Sequence, residues 1–186
     1  MKTSKQMNQK RTAFTLIEMV GVLAVIAILM ALLVPKIFAA IQDSRISNSV
    51  ASLNSVKAAS MSWFGKNGSF PVTTTTNFDM TLIKDGFLER PFTTRIGPTN
   101  TMKVVAGLGG TAGYKLDGTT VSTNSTTVEC KIEGVDASDA LELSTRMDGP
   151  TFSAADSTAA DDKGRVIYAA PVSGAKVTVY VYLAHK

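Results

Sequence analysis

The sequence predicts an α+β protein. One long N-terminal helix, membrane-spanning in its first half and amphipathic in its second, is expected to pack on a C-terminal antiparallel β-sheet. Three observations carry this. Residues 14–34 read FTLIEMVGVLAVIAILMALLV and contain a single charge, Glu18; an apolar run of about 20 residues spans the hydrocarbon core of a bilayer as a helix. From residue 35 to 64 apolar side chains recur mostly at three- and four-residue steps, the pattern of a helix with one buried face. From residue 102 onward the pattern changes to period two and short apolar runs, which means strands.

Residues 1–13 (MKTSKQMNQKRTA) are polar, with Lys2, Lys5, Lys10 and Arg11 and no acid. They read as a processed leader that the positive-inside rule holds in the cytoplasm. An ordinary secretory signal weighs less, because the apolar run exceeds the roughly 7–15 residues of a signal core. The nearest small-residue pair past that run, Ala39-Ala40, lies inside a continuing helical pattern. Glu18 sits about one turn into the run. A charge costs about 2.5–3.5 kcal/mol at the centre of a membrane helix and less near its end, so such a carboxylate calls for a partner. Cutting the chain before Phe14 would create a matching charge, an α-amine, at the start of a neighbouring helix.

Lys10-Arg11-Thr12-Ala13 followed by Phe14-Thr15-Leu16-Ile17-Glu18 and an apolar helix resembles the N-terminal processing site of type IV prepilins and type II secretion pseudopilins. The resemblance covers residues 1–71 in detail and the rest only in layout. It implies a pilin-like fold, cleavage and N-methylation by a prepilin peptidase at Ala13 and Phe14, and an assembly role for Glu18. It also implies homo-oligomerisation into a helical filament with other pilins, on an inner-membrane assembly platform. The family usually carries Gly before the cut, where this chain has Ala13.

Pro35 removes one helix hydrogen bond, that to the Ala31 carbonyl, and is expected to kink or open the helix. In the family a related proline lies where the helix melts on assembly. The amphipathic half, residues 35–66, places Ile37, Phe38, Ile41, Arg45, Ile46, Val50, Leu53, Val56, Ser60, Trp63 and Phe64 on one stripe, and the polar Gln42, Asp43, Ser44, Asn48, Ser49, Ser52, Asn54 and Lys57 at the other positions. Gly65, Asn67 and Gly68 end it, with Pro71 behind. Asn67-Gly-Ser-Phe-Pro71 resembles a segment that follows the long helix in many pilins. Residues 67–101 form a connecting region, with loops at 73–76 and 93–101 and a short helix over 79–92 that ends near Gly86.

The head, residues 102–186, opens with a strand at 102–106. Gly-rich turns follow, then a hairpin of 113–116 and 119–122 about Asp117-Gly118, and a strand at 126–132. Residues 135–149 read as a helix with Asp136 or Ser138 as N-cap and Gly149 as its stop. A polar loop at 153–164 precedes strands at 165–170 and 175–184. In the last strand Val177, Val179, Val181 and Leu183 share the face expected to meet the long helix.

No constellation of residues points to catalysis. The single histidine, His185, excludes a catalytic triad or a multi-histidine metal site. Cys130, the only cysteine, rules out an internal disulfide and reads as a small buried hydrophobe in a strand. A Cys130–His185 pair weighs far less. Asp156, Asp161 and Asp162 read as a solvated loop rather than a calcium site, since calcium needs six to eight oxygen ligands. Gly107-Leu108-Gly109-Gly110 lacks the Lys-Ser/Thr of a phosphate loop. Tyr168, Tyr180 and Tyr182 read as sheet packing before a surface patch. No cofactor and no metal are expected, and the protein is not read as an enzyme.

The net charge of +4 resides entirely in residues 1–13, so the remainder carries equal numbers of acidic and basic side chains. That gives no support for a nucleic-acid surface. The expected function is a structural subunit of a type IV pilus or pilus-like filament. The alternatives are a pseudopilin of a type II secretion system, or a membrane-anchored binding module that never polymerises. Localisation follows: a single-pass inner-membrane precursor with a cytoplasmic leader and periplasmic head, then an extracellular pilus or a periplasmic pseudopilus.

Overall fold

The computed structural model describes residues 14–71, 73–106, 113–121, 126–172 and 174–186. In chain order the elements are α1 (Leu16–Asn67), β1 (Thr75–Thr76), α2 (Phe78–Lys84), β2 (Thr99–Ala106), β3 (Thr126–Val135), α3 (Ala137–Asp148), β4 (Val166–Tyr168) and β5 (Val177–His185). The strands form one antiparallel sheet in the order β1-β2-β3-β5-β4. This is the expected α+β arrangement of a long N-terminal apolar helix with a C-terminal antiparallel sheet. The chain divides into two units between Ile41 and Gln42.

Among the described residues of the first unit, 14–41, α1 is the only element, and every one of them is exposed. Leu, Ile, Ala and Val dominate this stretch, and α1 continues through Pro35. Among the described residues it is the one helix long and apolar enough to cross a membrane.

In the second unit α1 buries Ile46, Ser49, Leu53, Val56, Ala59, Ser60 and Trp63. The expected stripe thus starts later than Ile41. Ile37, Phe38, Ile41 and Arg45 are exposed. Ser49, expected on the polar face, is buried because its hydroxyl donates one turn back to the Arg45 carbonyl at 2.8 Å. Ser60 does the same to Val56 at 2.7 Å. A hydroxyl satisfied this way no longer needs water. The helix face meets Met102, Val104, Val128, Cys130, Ile132, Val179, Val181 and Leu183 in one core.

α1 ends as expected. Gly68, at φ +74°, donates to the Phe64 carbonyl at 2.7 Å. Phe70 then turns inward to join Trp63 and Phe78 in an aromatic cluster, with the Trp63 indole N–H on Asp85 at 2.7 Å. α2 is shorter than the 79–92 expected. Gly86 (φ +79°) folds back onto Ile83, and the Phe92 N–H goes to the Asp79 carboxylate at 3.0 Å instead of into a helix.

The sheet departs from expectation at its edges. Thr75 and Thr76, expected in a loop, pair with Val104 and Lys103. β2 starts at Thr99 rather than 102, because β3 extends to Val135 and offers it partners. The hairpin over 113–122 does not form within the described residues 113–121. Gly118 does turn, donating to Lys115 at 2.9 Å. But the Asp117 carboxylate captures the N–H groups of Thr119 (2.9 Å) and Thr120 (2.6 Å), which a returning strand would need. β5 alternates as predicted, Val177, Val179, Val181 and Leu183 buried and Thr178, Tyr180 and Tyr182 half-buried.

Gly97 is a test of this packing. A Cβ there would lie 2.6 Å from the Glu133 carbonyl oxygen and 2.6 Å from Ile132 Cγ2. The first is backbone and cannot swing away. Gly97→Ala is expected to destabilise the head by about 1–3 kcal/mol, read by urea unfolding of the detergent-solubilised chain. Trp63, the only tryptophan and nearly buried, reports the transition. An unchanged midpoint would show that β3 yields at this point.

Candidate functional site

The start of α1 holds the strongest arrangement. Thr15 stands just before the first helical residue, Leu16, and Glu18 is three residues beyond it. The Thr15 N–H donates to Glu18 Oε2 at 3.0 Å, and the Thr15 hydroxyl donates to the same oxygen at 2.9 Å. In return the Glu18 N–H reaches Thr15 Oγ1 at 3.4 Å. Helix starts leave backbone N–H groups without partners, and this reciprocal pair satisfies two of them. The anionic carboxylate also suits the positive end of the helix dipole. Phe14 precedes the cap and is 76% exposed. Among the described residues Oε1 of Glu18 has no hydrogen-bond partner, and the carboxylate is open to a second, external donor.

Thr15 is not among the residues that the sequence singles out, although Thr-x-x-Glu before an apolar run is a recognisable helix-start signal. The spacing carries this signal, whereas charge and hydropathy point to Glu18 alone. Ala13 and the leader lie outside the described residues. Pro35 lies within α1, between the capped start and the first residues α1 buries.

The remaining candidates are dispersed. Cys130 is fully buried opposite Val181, and burial pushes its thiol well up. His185 pairs with Thr127 across the sheet and contacts the Tyr182 hydroxyl, so Cys130 and His185 are not brought together. The three aspartates of the 153–164 loop separate. Asp156 accepts from the Thr158 hydroxyl at 2.6 Å and N–H at 2.8 Å, which lowers its pKa. Asp162 is lowered by Lys115 at 2.6 Å. Asp161 is buried, which raises its pKa, and takes the Ser144 hydroxyl at 2.6 Å. Each has a local structural task. Gly107–Gly110 lie outside the described residues. Tyr168 is buried in β4, while Tyr180 and Tyr182 half-cover the opposite face of the sheet.

One buried polar group escapes sequence reading. Glu129, fully buried in β3, holds Lys103 Nζ at 2.9 Å and accepts from the Tyr114 hydroxyl at 2.8 Å. Period two alone places Glu129 on the face away from the long helix. It does not reveal that Tyr114 lies over that face, its hydroxyl on Glu129 and its ring against Tyr182.

Among known proteins, residues 8–34 match the family described as the prokaryotic N-terminal methylation motif, the signature of type IV pilins and pseudopilins. No curated protein and no solved structure matches the chain. The motif supports a type IV pilin-like or pseudopilin protein. It implies processing by a prepilin peptidase, assembly with other pilins and an inner-membrane-anchored precursor.

Proposed function

We propose that this chain is a structural subunit of a type IV pilus or pilus-like filament, assembled through its N-terminal helix. The observation that supports it is the methylation motif at residues 8–34 leading into a helix exposed at every residue from Phe14 to Ile41, with one carboxylate. A surface this large and apolar needs lipid or other subunits to cover it.

The leader, residues 1–13, keeps the N-terminus in the cytoplasm while the head crosses the inner membrane. Residues 14–34 span the lipid, 35–66 form the amphipathic half, 67–101 connect, and 102–186 form the sheet head. A prepilin peptidase hydrolyses the Ala13–Phe14 bond and methylates the new amine of Phe14, which keeps its positive charge. While the subunit rests in lipid, Thr15 partly satisfies Glu18. On docking at the assembly platform, Glu18 receives the Phe14 amine of a neighbouring subunit. A buried charge with a partner costs far less than one without, so the matched pair fixes the register of addition.

The intact mass of the membrane-associated protein from its native cell tests this. The expected species starts at Phe14 and carries one methyl group. A chain starting at Met1 would show that Ala13 blocks cleavage and leaves a tethered monomer. A start near residue 40 would mean an ordinary secreted protein. One feature leans to a pseudopilin, or to a pilin of unusual type: many pilins staple a C-terminal loop with a disulfide, and Cys130, the only cysteine, has no second cysteine to pair with in this chain. Surface filaments on intact cells support the pilus, and filaments confined to the periplasm support the pseudopilus.

A further inference from the structure

We infer that the loop between α3 and β4 is a strap, latched at Asp148 and Asp161, that holds the turn at residues 115–118 in place and with it the Tyr114 hydroxyl on Glu129. Strap and turn open together as one unit while the strands β2 and β3 stay folded.

The loop, residues 149–165, contains no helix and no strand. Segments without secondary structure beyond about 12–15 residues are uncommon in a folded domain, and this one is tied down along its length. Its two ends meet at Asp148. That side chain is 4% exposed and accepts the N–H groups of Arg165 and Val166, each at 2.8 Å, and Arg165 Nε at 2.9 Å. Gly164 permits the approach, since a Cβ there would lie 2.6 Å from Asp148 Oδ2. Asp161 holds the middle. It is buried, takes the Ser144 hydroxyl of α3 at 2.6 Å and the Ala154 N–H at 3.3 Å, and exchanges two backbone bonds of 2.9 Å with Tyr168.

Three contacts run from the strap to the turn. The Lys115 carbonyl accepts the Gly118 N–H that closes the turn and the Gly164 N–H of the strap, both at 2.9 Å, so one oxygen serves both segments. Lys115 Nζ reaches Asp162 at 2.6 Å. The Phe152 ring lies against Gly118, where a Cβ would be 2.8 Å from Phe152 Cε1. Tyr114 immediately precedes Lys115 and donates to Glu129 at 2.8 Å. The ion pair alone contributes little at a surface. Release of the strap removes more: a backbone bond, an ion pair and a ring contact leave the turn at once. Contacts that break as a set define a unit of local unfolding.

Limited trypsin digestion of the full chain in detergent micelles tests this, with each cleavage site identified by mass spectrometry. Lys163 reports the strap and Lys115 the turn, while Lys103 in β2 and Lys131 in β3 report the sheet. Where opening is fast, cleavage tracks the open population. Asp148→Ala leaves the N–H groups of Arg165 and Val166 without their acceptor. It should speed cleavage at Lys163 and Lys115 by the same factor, about a hundredfold, with Lys103 and Lys131 unchanged. Asp148→Asn keeps the shape and one acceptor oxygen, so it should give a smaller rise, again equal at the two sites, even where the Ala variant fails to fold. Faster cleavage at Lys163 alone would overturn the inference, because the strap would then close without holding the turn. A rise spread over all four lysines in the Asn variant would overturn it too, since opening would be global. So would unchanged cleavage at both Lys163 and Lys115, which would place the latch away from Asp148.

Discussion

Glu18→Gln is expected to abolish filament assembly while leaving the start of α1 intact. Gln at this position still takes the Thr15 N–H and hydroxyl, so the reciprocal helix start survives. What it loses is the charge. A neighbour's Phe14 amine, buried among apolar helices, would then have no counter-ion. Removing one partner of a buried ion pair costs about 3–5 kcal/mol. At about 1.4 kcal/mol per factor of ten, that is more than a hundredfold in subunit addition. Glu18→Ala should fail as badly and in addition lose the cap. Thr15→Ala keeps the charge and loses about 1 kcal/mol of capping, so its assembly defect should be several-fold only. Filament yield and membrane-retained monomer are counted for each variant. The Gln variant decides between mechanisms. If it assembles like wild type while Ala fails, Glu18 serves to start the helix and charge pairing falls. If all three assemble normally, the chain is a tethered module.

The Thr15–Glu18 pair at the start of α1 shows what is legible in the sequence and what is hidden. The long helix is readable because an unbroken apolar run and, after it, apolar residues at three- and four-residue steps are both local properties of the sequence. α3 and its ends at Asp136 and Gly149 are readable for the same reason, and so is the valine face of β5. The hairpin expected at 113–122 does not form among the described residues 113–121, because Asp117 competes for the backbone N–H groups. Period-two patterning cannot see a side chain that takes the place of a strand. β1 is hidden because two threonines become a strand only when Val104 and Lys103 stand beside them. Ser49 falls on the opposite face from the one expected because hydropathy assumes that a hydroxyl needs water, and Ser49 finds the Arg45 carbonyl. At the site, the charge of Glu18 stands out in hydropathy, whereas its partner Thr15 shows only through the Thr-x-x-Glu spacing. The carboxylate looks isolated in a hydropathy pattern only because its nearest donor is three residues away along the chain.

The buried pair on the far face of the sheet offers the largest effect on stability. Lys103→Met removes the cation that lies 2.9 Å from Glu129 and leaves a carboxylate with no exposed surface. Breaking such a pair from one side costs about 3–5 kcal/mol. The lower end applies here, because the Lys103 side chain keeps 23% of its surface in water and some screening survives. Glu129→Gln is the gentler change. The Tyr114 hydroxyl can still donate to the amide oxygen, and Lys103, stacked 5.6 Å from the Tyr180 ring, can turn its ammonium outward. Its cost should be that of a charged hydrogen bond, about 1.5–3 kcal/mol. Replacing both, as Lys103→Met with Glu129→Leu, should recover most of the loss, since a well-packed apolar pair often matches a buried ion pair. The Tyr114 hydroxyl, then without its acceptor, sets the limit of that recovery. Urea unfolding followed by Trp63 fluorescence gives all three values in the full-length chain. The ordering matters more than any one number. Lys103→Met costing more than Glu129→Gln, with partial recovery in the double variant, identifies an ion pair whose carboxylate is shielded from water beneath Tyr114. The reverse ordering, or simple addition of the two losses, would mean that water reaches Glu129 and that the cover opens as readily as a surface loop.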